Sequence, residues 1–524
     1  MNGIVRLFRT LLYCSLFFSS LLQAAPSTTL KIGVAADVTS LDPHYLNSGP
    51  NNNIAQHLFD ALIHIDPNGQ LVPALALSWK PLNATTWEFK LRRGVKFHDG
   101  QELTAEDVVF SLERPATILN SPGPFTGYTK PILSKRIIDR YTLQLTTATA
   151  YAPLPLDISN IFIVSKKVAS HATTDDFNTG KALVGTGPFR YVSFRRGESV
   201  ELKRYDAYWG DQPVWDKVVF KILTNDAART AALLSGDVDA IESVPTADMA
   251  RLRTDTRISI TQRISWRTLF WQLDQWRDKS PFVTDKQGRP LDKNPLKDHR
   301  VRQAISKAIN RSALVERTLE GLATPAGNIV APGLLGYSDL GIEPYDPEGA
   351  KKLLAEAGYP DGFALTLHGP NNRYINDEQV VQTVAQFLQR VGIQAKVDTM
   401  PLSVYFGRAR ANEFSMALLG WGTIAGDSGG LRNLLATPNT ETGFGAWNWG
   451  KYSHAELDRN LQRALTTLES KQRETYARQA LAFAMKDYAA IPLHYQYASW
   501  AMRKGLKYRA RVDEFTYAHL FYAE

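Results

Sequence analysis

The sequence contains a single cysteine, Cys14, which lies in an apolar stretch near the N-terminus. Disulfide bonds within the chain are therefore excluded. The chain also lacks low-complexity tracts, which argues against disorder, and it lacks long runs of like charge, which argues against a nucleic-acid-binding stripe. Beyond the N-terminus no segment reaches the roughly 18 consecutive apolar residues that cross a bilayer. These absences predict a globular protein with no later membrane anchor.

The first residues predict an export signal. Arg6 and Arg9 form a positive region, residues 11–22 form an apolar stretch too short to span a bilayer, and Ala24 supplies the small residue that suits cleavage. We expect cleavage after Ala24, so residues 1–24 are a signal peptide and the mature protein is periplasmic and free of cysteine. Cys14 lies inside the apolar run, so a lipid-anchored start is not expected.

Length and charge set further bounds. The 524 residues suggest roughly three domains, and the formal net charge is +8. Removal of residues 1–24 takes away two arginines and leaves 58 basic against 52 acidic residues, a net charge of +6. Basic residues are interleaved with acidic ones, as on solvated faces, so no nucleic-acid partner is expected. The 11 tryptophans and 21 tyrosines favour aromatic-lined surfaces or pockets.

Two segments show the rhythm of strand, helix and strand. The apolar patterns predict these units at 218–223, 226–235 and 238–241, and again at 363–367, 380–391 and 392–397. Such units indicate an α/β protein with a partly parallel sheet. Residues 115–183 contain six prolines and are predicted to form loops and short strands of a subsidiary domain.

A glycine-rich turn follows the strongest strand of the second half. Residues 416–419 predict a buried strand and residues 431–435 the start of a helix. The glycines between them can take positive φ and approach another molecule, while Trp421 offers an aromatic face and Asp427 a charge. Ligands of open α/β sheets bind at such strand ends, so this turn is a candidate binding element.

The same turn raises the alternative of a secreted serine hydrolase. Residues 426–430 read GDSGG, the string around the nucleophilic serine of trypsin-like proteases. A serine nucleophile needs a histidine base and an orienting group, but none of the ten histidines has the context of that family. His98 has no partner at ligand spacing and is interpreted as a turn residue rather than a metal ligand. We therefore predict no catalytic residues, no metal site and no cofactor.

Six segments together resemble the extracytoplasmic solute-binding proteins of ABC importers, in the family that binds oligopeptides, dipeptides, nickel and related solutes. The resemblance covers nearly the whole mature chain. The segments are Leu71 to Trp79 (LVPALALSW), Trp87 to Arg114 (WEFKLRRGVKFHDGQELTAEDVVFSLER), Gly185 to Tyr191 (GTGPFRY), Leu234 to Asp239 (LSGDVD), Val301 to Arg311 (VRQAISKAINR) and Tyr345 to Phe363 (YDPEGAKKLLAEAGYPDGF).

The resemblance implies a two-lobed periplasmic-binding-protein fold of class α/β, with an additional inserted N-terminal domain. Ligand would lie between the lobes, which would rotate about strands near 266–273 and 495–502. An inner-membrane ABC permease would be the partner, and the protein would be a monomer. The expected divisions are residues 25–66, 185–272 and 499–524 for lobe I, 67–184 for the insertion and 273–498 for lobe II.

The resemblance also implies ligand-binding residues. Arg373, which follows Asn371 and Asn372, falls where dipeptide-binding relatives use an arginine for the ligand carboxylate. Guanidinium suits that role because it can hold a carboxylate through two parallel charge-assisted bonds. We therefore expect Arg373, with Asn371 beside it, to line the site. The loop with Asn47 and Ser48 resembles the ligand-lining segment of the family, although a turn-forming role is open.

One position departs from the family pattern. Peptide-binding relatives follow Gly-Trp with a nearby aspartate that pairs with the ligand ammonium, whereas Ile424 stands at about that place here. Asp427 either substitutes for that anchor or shapes the loop, and Trp421 either stacks on ligand or fills the core. The expected ligand is a short peptide or a peptide-like carboxylated solute. The alternative within the fold is a non-peptide solute such as an opine, a metal chelate or haem.

Overall fold

The computed structural model describes residues 28–422 and 429–524. The strands of these residues are β1 (Thr29–Val34), β2 (Ile63–Ile65), β3 (Leu71–Pro73), β4 (Ala76–Pro81), β5 (Thr86–Leu91), β6 (Ile132–Asp139), β7 (Thr142–Thr147), β8 (Phe189–Arg195), β9 (Ser199–Arg204), β10 (Lys217–Ile222), β11 (Ala240–Glu242), β12 (Ile258–Leu273), β13 (Val283–Thr284), β14 (Ala323–Pro325), β15 (Ala364–Pro370), β16 (Gln394–Met400), β17 (Met416–Trp421), β18 (Ile491–Arg503), β19 (Leu506–Tyr508) and β20 (Phe521–Ala523).

The α-helices of the same residues range from short turns to the 17 residues of the last one. They are α1 (Gly49–Leu58), α2 (Ala105–Glu113), α3 (Thr126–Thr129), α4 (Leu154–Ile158), α5 (Lys166–Ala169), α6 (Thr174–Asn178), α7 (Asp226–Ser235), α8 (Thr246–Thr254), α9 (His299–Ala308), α10 (Arg311–Ala313), α11 (Pro347–Glu356), α12 (Asp377–Gln389), α13 (Leu402–Arg410), α14 (Gly429–Leu434), α15 (Ala455–Thr466) and α16 (Ser470–Lys486). None of the helices in these two ranges is long and apolar enough to cross a bilayer.

One large mixed sheet runs through the molecule, and two long strands cross its middle. Its order is β13-β15-β17-β12-β18-β11-β1-β10-β9-β8, with β16 added to β15 and β14 added to β18. We call the half with β1 and β8 to β11 lobe I, and the half with β13 and β15 to β17 lobe II. The crossing strands β12 and β18, of 16 and 13 residues, belong to both halves.

Lobe I contains the first predicted parallel unit. Strand β1 pairs in parallel with both β10 and β11, and α7 connects those two strands along the chain. The side chain of Asn225 caps the start of α7 by accepting the amide of Ala228 at 2.9 Å. Gly236 ends the helix with φ of 84°, which glycine adopts without the penalty of a Cβ atom. Both helix ends lie where the sequence predicted them.

Lobe II contains the second parallel unit, with α12 connecting β15 to the parallel β16. The amphipathic helices α9 and α12 bury one face each against the sheet. Val301 and Ile305 from α9 join Val380 and Val384 from α12 in a core that includes Trp271 of β12. Burial of such side chains stabilises the lobe by roughly 1.5–3 kcal/mol each, so packing rather than local propensity holds these helices in place.

A separate four-stranded sheet lies outside the main sheet, in the order β4-β5-β7-β6. Helix α2 packs on it through Val108 and Leu112, which share a core with Phe89 of β5. The start of α2 has a capping box: the carboxylate of Asp107 accepts the backbone amide of Thr104 at 2.9 Å. This sheet forms the centre of the expected insertion.

Residues 115–183 differ from the expectation of loops and short strands alone, because α3, α4, α5 and α6 lie there beside β6 and β7. The later part of this segment also changes core. Phe162, Phe177 and Leu183 pack in the core of lobe I with Leu30 and Phe220, not in the core around Phe89. Ile163 still packs in the core around Phe89, so the two cores interleave along this part of the chain. The bounds 67–184 stay a prediction.

Candidate functional site

The crossing strands break register at one point between the lobes. Strand β12 pairs with β18 up to Ile264 opposite Tyr497, and the pairing resumes with Thr268 opposite Tyr495. Three residues of β12, from 265 to 267, therefore face the single residue Gln496 of β18. Such a bulge bends its strand and redirects its side chains. It lies at the start of the strand that was expected to act as a hinge.

Hydrogen bonds join the expected insertion to lobe II. Arg432 of α14 donates to the hydroxyl of Tyr151 at 2.6 Å. The backbone amide of Ala152 donates to the carbonyl of Leu465 at 2.9 Å, and Lys130 Nζ donates to the carbonyl of Glu441 at 3.0 Å. The insertion and lobe II are therefore in direct contact in this structure.

Arg373 lies in the turn between β15 and α12. The carboxylate of Asp377, at the start of α12, accepts the backbone amides of Arg373 and Tyr374 at 2.8 and 3.0 Å and so fixes the turn. The guanidinium of Arg373 has no hydrogen bond or ion pair with a described residue and lies 5.2 Å from the ring of Tyr374. Arg373 therefore has its donors available at this turn.

Arg373 is exposed, yet the protein around it disfavours its charge. Solvent reaches the side chain. Burial by the surrounding protein, followed by the charge of Arg267, nevertheless lowers the pKa of Arg373. Asn371 is exposed beside it, and its backbone amide bonds to the carbonyl of Met400 at 3.1 Å. A cation in such a place favours an anionic ligand that restores its lost solvation.

Two glycines of the candidate turn make room for neighbouring side chains. The hydroxyl of Tyr374 donates to the carbonyl of Gly420 at 3.2 Å, and a Cβ atom on Gly420 would lie 2.5 Å from the ring. A Cβ atom on Gly422 would lie 3.1 Å from Nη2 of Arg267. Neither glycine has a positive φ. Close approach, and not backbone conformation, is thus the reason for glycine at these two positions.

Trp421 ends β17 and is half-buried. Its ring packs edge-on against Trp447, with 5.6 Å between ring centroids, in a cluster that continues to Trp449. Its Nε1 is buried and has no hydrogen-bond partner among residues 28–422 and 429–524. The packing favours a core-filling role, while stacking on ligand stays a prediction. Asp427, together with Ile424 and Ser428, lies outside the described residues, so both roles of Asp427 also stay predictions.

Asn47 and Ser48 lie at the start of α1. The amide of Asn47 donates to the hydroxyl of Tyr128 at 3.1 Å and accepts from Asn52 at 2.8 Å. Ser48 occupies the N-cap position of α1, but its side chain makes no capping bond. No hydrogen bond between described residues joins this loop to Arg373 or Trp421. The bonds of Asn47 favour its turn-forming role, and the ligand role of both residues stays a prediction.

The sequence patterns missed a charged cluster at the hinge. Nε and Nη2 of Arg267 donate to the carboxylate of Glu514, with a shortest distance of 2.7 Å. Ser265 and Gln496 donate to the same carboxylate at 2.8 and 3.2 Å. Glu514 has φ of 68°, a conformation that non-glycine residues rarely adopt. The one sequence feature that could have indicated this cluster is Arg267, a charged residue inside the apolar run WRTLFWQL. The sequence around Glu514, near the C-terminus, has no comparable feature.

Electrostatics explain the protonation state of Glu514. Burial acts to raise the pKa of its carboxyl group, but the charge and hydrogen bonds of Arg267 outweigh burial and hold the pKa below its usual range. The pair is thus ionised at neutral pH. Arg373 and Arg267 together place two cations near one glutamate.

His98 lies in a turn, and its Nε2 makes a tertiary contact with the carbonyl of Gly187 at 3.0 Å. Within the described ranges there is no group of three or more histidine, cysteine, aspartate or glutamate residues that could hold a metal ion. The described part of the site offers charge and hydrogen bonds for a ligand.

Comparison with known proteins gives consistent matches. A family model for bacterial extracellular solute-binding proteins, family 5, matches residues 70–443, well over half of the chain. Heme-binding protein A of Haemophilus influenzae is 27% identical over 474 residues, which cover 84% of this chain and 82% of that protein. The dipeptide-binding protein of Escherichia coli strain K12 is 29% identical over 444 residues, 78% of each chain.

The fold matches solved structures along nearly its whole length. The periplasmic binding protein DppA of Helicobacter pylori, in complex with the peptide STSA, has a TM-score of 0.79 and 25% identity and covers 95% of this chain and 98% of its own. The expected two-lobed periplasmic-binding-protein fold is therefore confirmed.

Proposed function

This chain belongs to family 5 of the bacterial extracellular solute-binding proteins, and from that premise we propose which solute it binds and how. The family recognised from the sequence motifs is confirmed. Its members are periplasmic substrate-binding components of ABC importers, and this chain is such a component. The proposal concerns the ligand, the residues that hold it and the motion that encloses it.

The ligand is a short peptide or a peptide-like carboxylated solute, and Arg373 binds its carboxylate. The observation that carries this proposal is the guanidinium of Arg373, which has no hydrogen-bond or ion-pair partner among the described residues although the neighbouring Arg267 is paired with Glu514. A carboxylate would form two parallel charge-assisted bonds with it. One relative of this chain is a dipeptide-binding protein, and a solved structure with the same fold contains the peptide STSA. Both support a peptide-like ligand for this chain.

The remaining site residues complete the proposal. Trp421 borders the ligand at the end of β17, and Asp427 takes the place of the ammonium anchor that Ile424 cannot provide. Asn371 lies beside Arg373 on the same turn. Asn47 and Ser48 face the ligand from lobe I.

Binding proceeds by hinge closure. Ligand docks on lobe II, and lobe I rotates about the bulge of β12 and the facing part of β18, because these strands are the long connections shared by both halves of the main sheet. The closed form is favoured since ligand then contacts both lobes. The closed protein delivers ligand to an inner-membrane permease as a monomer, after its signal peptide has been removed at Ala24.

A non-peptide solute is the second candidate. Ile424 stands at about the position where peptide-binding relatives have an aspartate, which favours a ligand without an ordinary free α-ammonium group. A heme-binding protein is among the relatives of this chain. An opine or a metal chelate would fit the same carboxylate anchor.

Mass spectrometry of ligand carried through purification from native periplasm tests the proposal. Release of short peptides supports the first candidate, and release of a non-peptide carboxylate supports the second. Binding of the identified ligand is then compared in wild-type protein, Arg373→Ala and the control Arg289→Ala, whose exposed guanidinium pairs with Asp285. Loss of a buried charged partner costs about 2–5 kcal/mol, so Arg373→Ala should weaken binding at least 30-fold. Unchanged binding would remove Arg373 from the site.

The hydrolase alternative is tested by Ser428→Ala. A serine hydrolase would lose its activity on ester and peptide substrates in this variant. A binding protein would keep its ligand affinity, which is the outcome we expect. The comparisons favour transport, since the matching family consists of solute-binding proteins.

A further inference from the structure

Arg267 lies between the lobes, and its ion pair with Glu514 leaves one of its guanidinium nitrogens without a hydrogen bond to a described residue. It lies in the β12 bulge, between the part of the strand that pairs within lobe I and the part that pairs with β17 of lobe II. Its Nε and Nη2 bond to Glu514, whereas Nη1 has no hydrogen-bond partner among the described residues. The Nη1 group of Arg267 is therefore available to donate to a ligand.

The available edge of Arg267 lies at the candidate site. The close approach of Nη2 to Gly422 places the guanidinium against the end of β17, directly after Trp421. Tyr374, which adjoins Arg373, contacts Gly420 two residues earlier on the same strand. The two arginines thus approach the same strand end, one from the hinge and one from the turn before α12.

The charges of this region leave one cation uncompensated. Glu514 neutralises Arg267, and the carboxylate of Asp377 is occupied by the backbone amides at the start of α12. Arg267 lies close enough to act on Arg373, because its charge, after burial, contributes to the lowered pKa of Arg373. One monovalent anion placed between the arginines would remove this repulsion.

We propose that Arg267 is a second ligand-binding residue, whose Nη1 edge shares one ligand carboxylate with Arg373 while Glu514 holds its guanidinium in position. This inference rests on the proposed function and adds a hinge residue to the site. Because Arg373 belongs to lobe II and Arg267 to the bulge, the carboxylate connects the closing element with the binding turn. Ligand charge would then favour closure, and an uncharged analogue would lack that effect.

The test compares free and amidated ligands. Refolded, ligand-free protein is equilibrated with an equimolar mixture of dipeptides and, separately, with the same dipeptides as C-terminal amides, and bound molecules are quantified by mass spectrometry. Wild-type protein should prefer the acids at least 100-fold. Arg267→Ala and Arg373→Ala should each reduce this preference at least tenfold. Arg263→Ala is the matched control, since Arg263 lies on the same strand and bonds to Ala510 and Asn68 instead.

Arg267→Lys separates binding from a structural role. A lysine keeps a charge opposite Glu514 but has no second donor edge, so it should preserve thermal stability without restoring the preference for acids. Full restoration by lysine, or an Arg267→Ala protein that is folded and keeps the wild-type preference, would overturn the proposal. In that case the loss in Arg373→Ala alone would leave the proposed function standing. If wild-type protein binds neither mixture, both fail.

Discussion

Asn376 and Thr246 are hydrogen-bonded from lobe II to lobe I: Oγ1 of Thr246 accepts from Nδ2 of Asn376 at 3.2 Å and donates to its Oδ1 at 3.3 Å. Asn376 is the N-cap residue of α12, three positions after Arg373, and Thr246 begins α8. Asn376 adopts φ of 50° and also donates to the carbonyl of Thr318 at 2.8 Å. The contact holds the two lobes together beside the proposed carboxylate anchor.

Thr246→Val should therefore weaken ligand binding by favouring the open form. The variant keeps the shape of the side chain and loses the interlobe hydrogen bonding of its hydroxyl group, worth about 1 kcal/mol in total, so affinity should fall about fivefold. Calorimetric titration with the identified ligand measures the change. Thr254→Val is the control, because the hydroxyl of Thr254 bonds to Arg251 of its own helix. Equal ligand affinities of wild type and Thr246→Val would show that the contact between Asn376 and Thr246 does not stabilise the closed form.

The two arginines should differ in their effect on the ligand-free protein. Arg267→Ala leaves the carboxylate of Glu514 without its charged partner and should destabilise the fold by about 2 kcal/mol. Arg373→Ala removes a cation that has no hydrogen-bond or ion-pair partner among the described residues and whose pKa burial lowers, so the melting temperature should not fall. Thermal unfolding of ligand-free samples compares them. A clear loss of stability in Arg373→Ala would show that its guanidinium is satisfied within the protein.

Gly420→Ala should destabilise the protein through Tyr374. The added methyl group would lie 2.5 Å from the tyrosine ring, so the ring and the adjoining Arg373 must shift, at a cost of about 1–3 kcal/mol. Gly407→Ala is the matched control, because a Cβ atom there meets nothing within 4 Å and α13 gains a better helix former. Chemical denaturation measures both. The prediction fails if the two variants are equally stable.

Stability should fall with pH below about 6.5, partly through His57. Its Nδ1 donates to the carbonyl of Asn53 at 2.8 Å, and its Nε2 accepts the amide of Ala518 at 2.9 Å. Burial lowers the pKa of His57 from 6.5 to about 4, so the folded state favours the neutral ring. Its contribution is complete above pH 6.5 and is lost as the pH falls towards 4.

His57→Gln tests this contribution, since glutamine can still accept the amide of Ala518 and does not titrate. The free energy of unfolding should depend less steeply on pH between 6.5 and 4, by up to about 1.4 kcal/mol per pH unit. The exposed His171, replaced by glutamine, serves as the control. Identical pH profiles for wild type and His57→Gln would assign the acid sensitivity to other groups.

The sequence predicted local structure well where one short segment contained every determinant. Asn225 and Gly236 specify both ends of α7 within 12 residues. Such signals act through backbone groups next to them in the chain. The two-lobed fold was predicted from six segments that together resemble the solute-binding family.

The charged cluster could not be predicted in the same way. Arg267 and Glu514 lie 247 positions apart, and only the packing of the C-terminal segment against the bulge brings them together. Asn47 shows the opposite case, because its amide type suits a ligand-lining loop, yet its described bonds tie that loop to Tyr128 and Asn52. Residue type indicates what a side chain can bind, whereas tertiary packing decides which partner it meets.

The position of β18 in the sheet affects the order in which the protein can fold after export. This strand lies between β12 and β11, so the half-sheet of lobe I is continuous with β12 and lobe II only once β18 is in place. It begins at Ile491, close to the C-terminus. A chain crossing the membrane from its N-terminus must therefore deliver more than nine-tenths of its length before the main sheet is continuous. Until then the edges of β11 and β12 remain open, and a periplasmic chaperone that covers them would act in that interval.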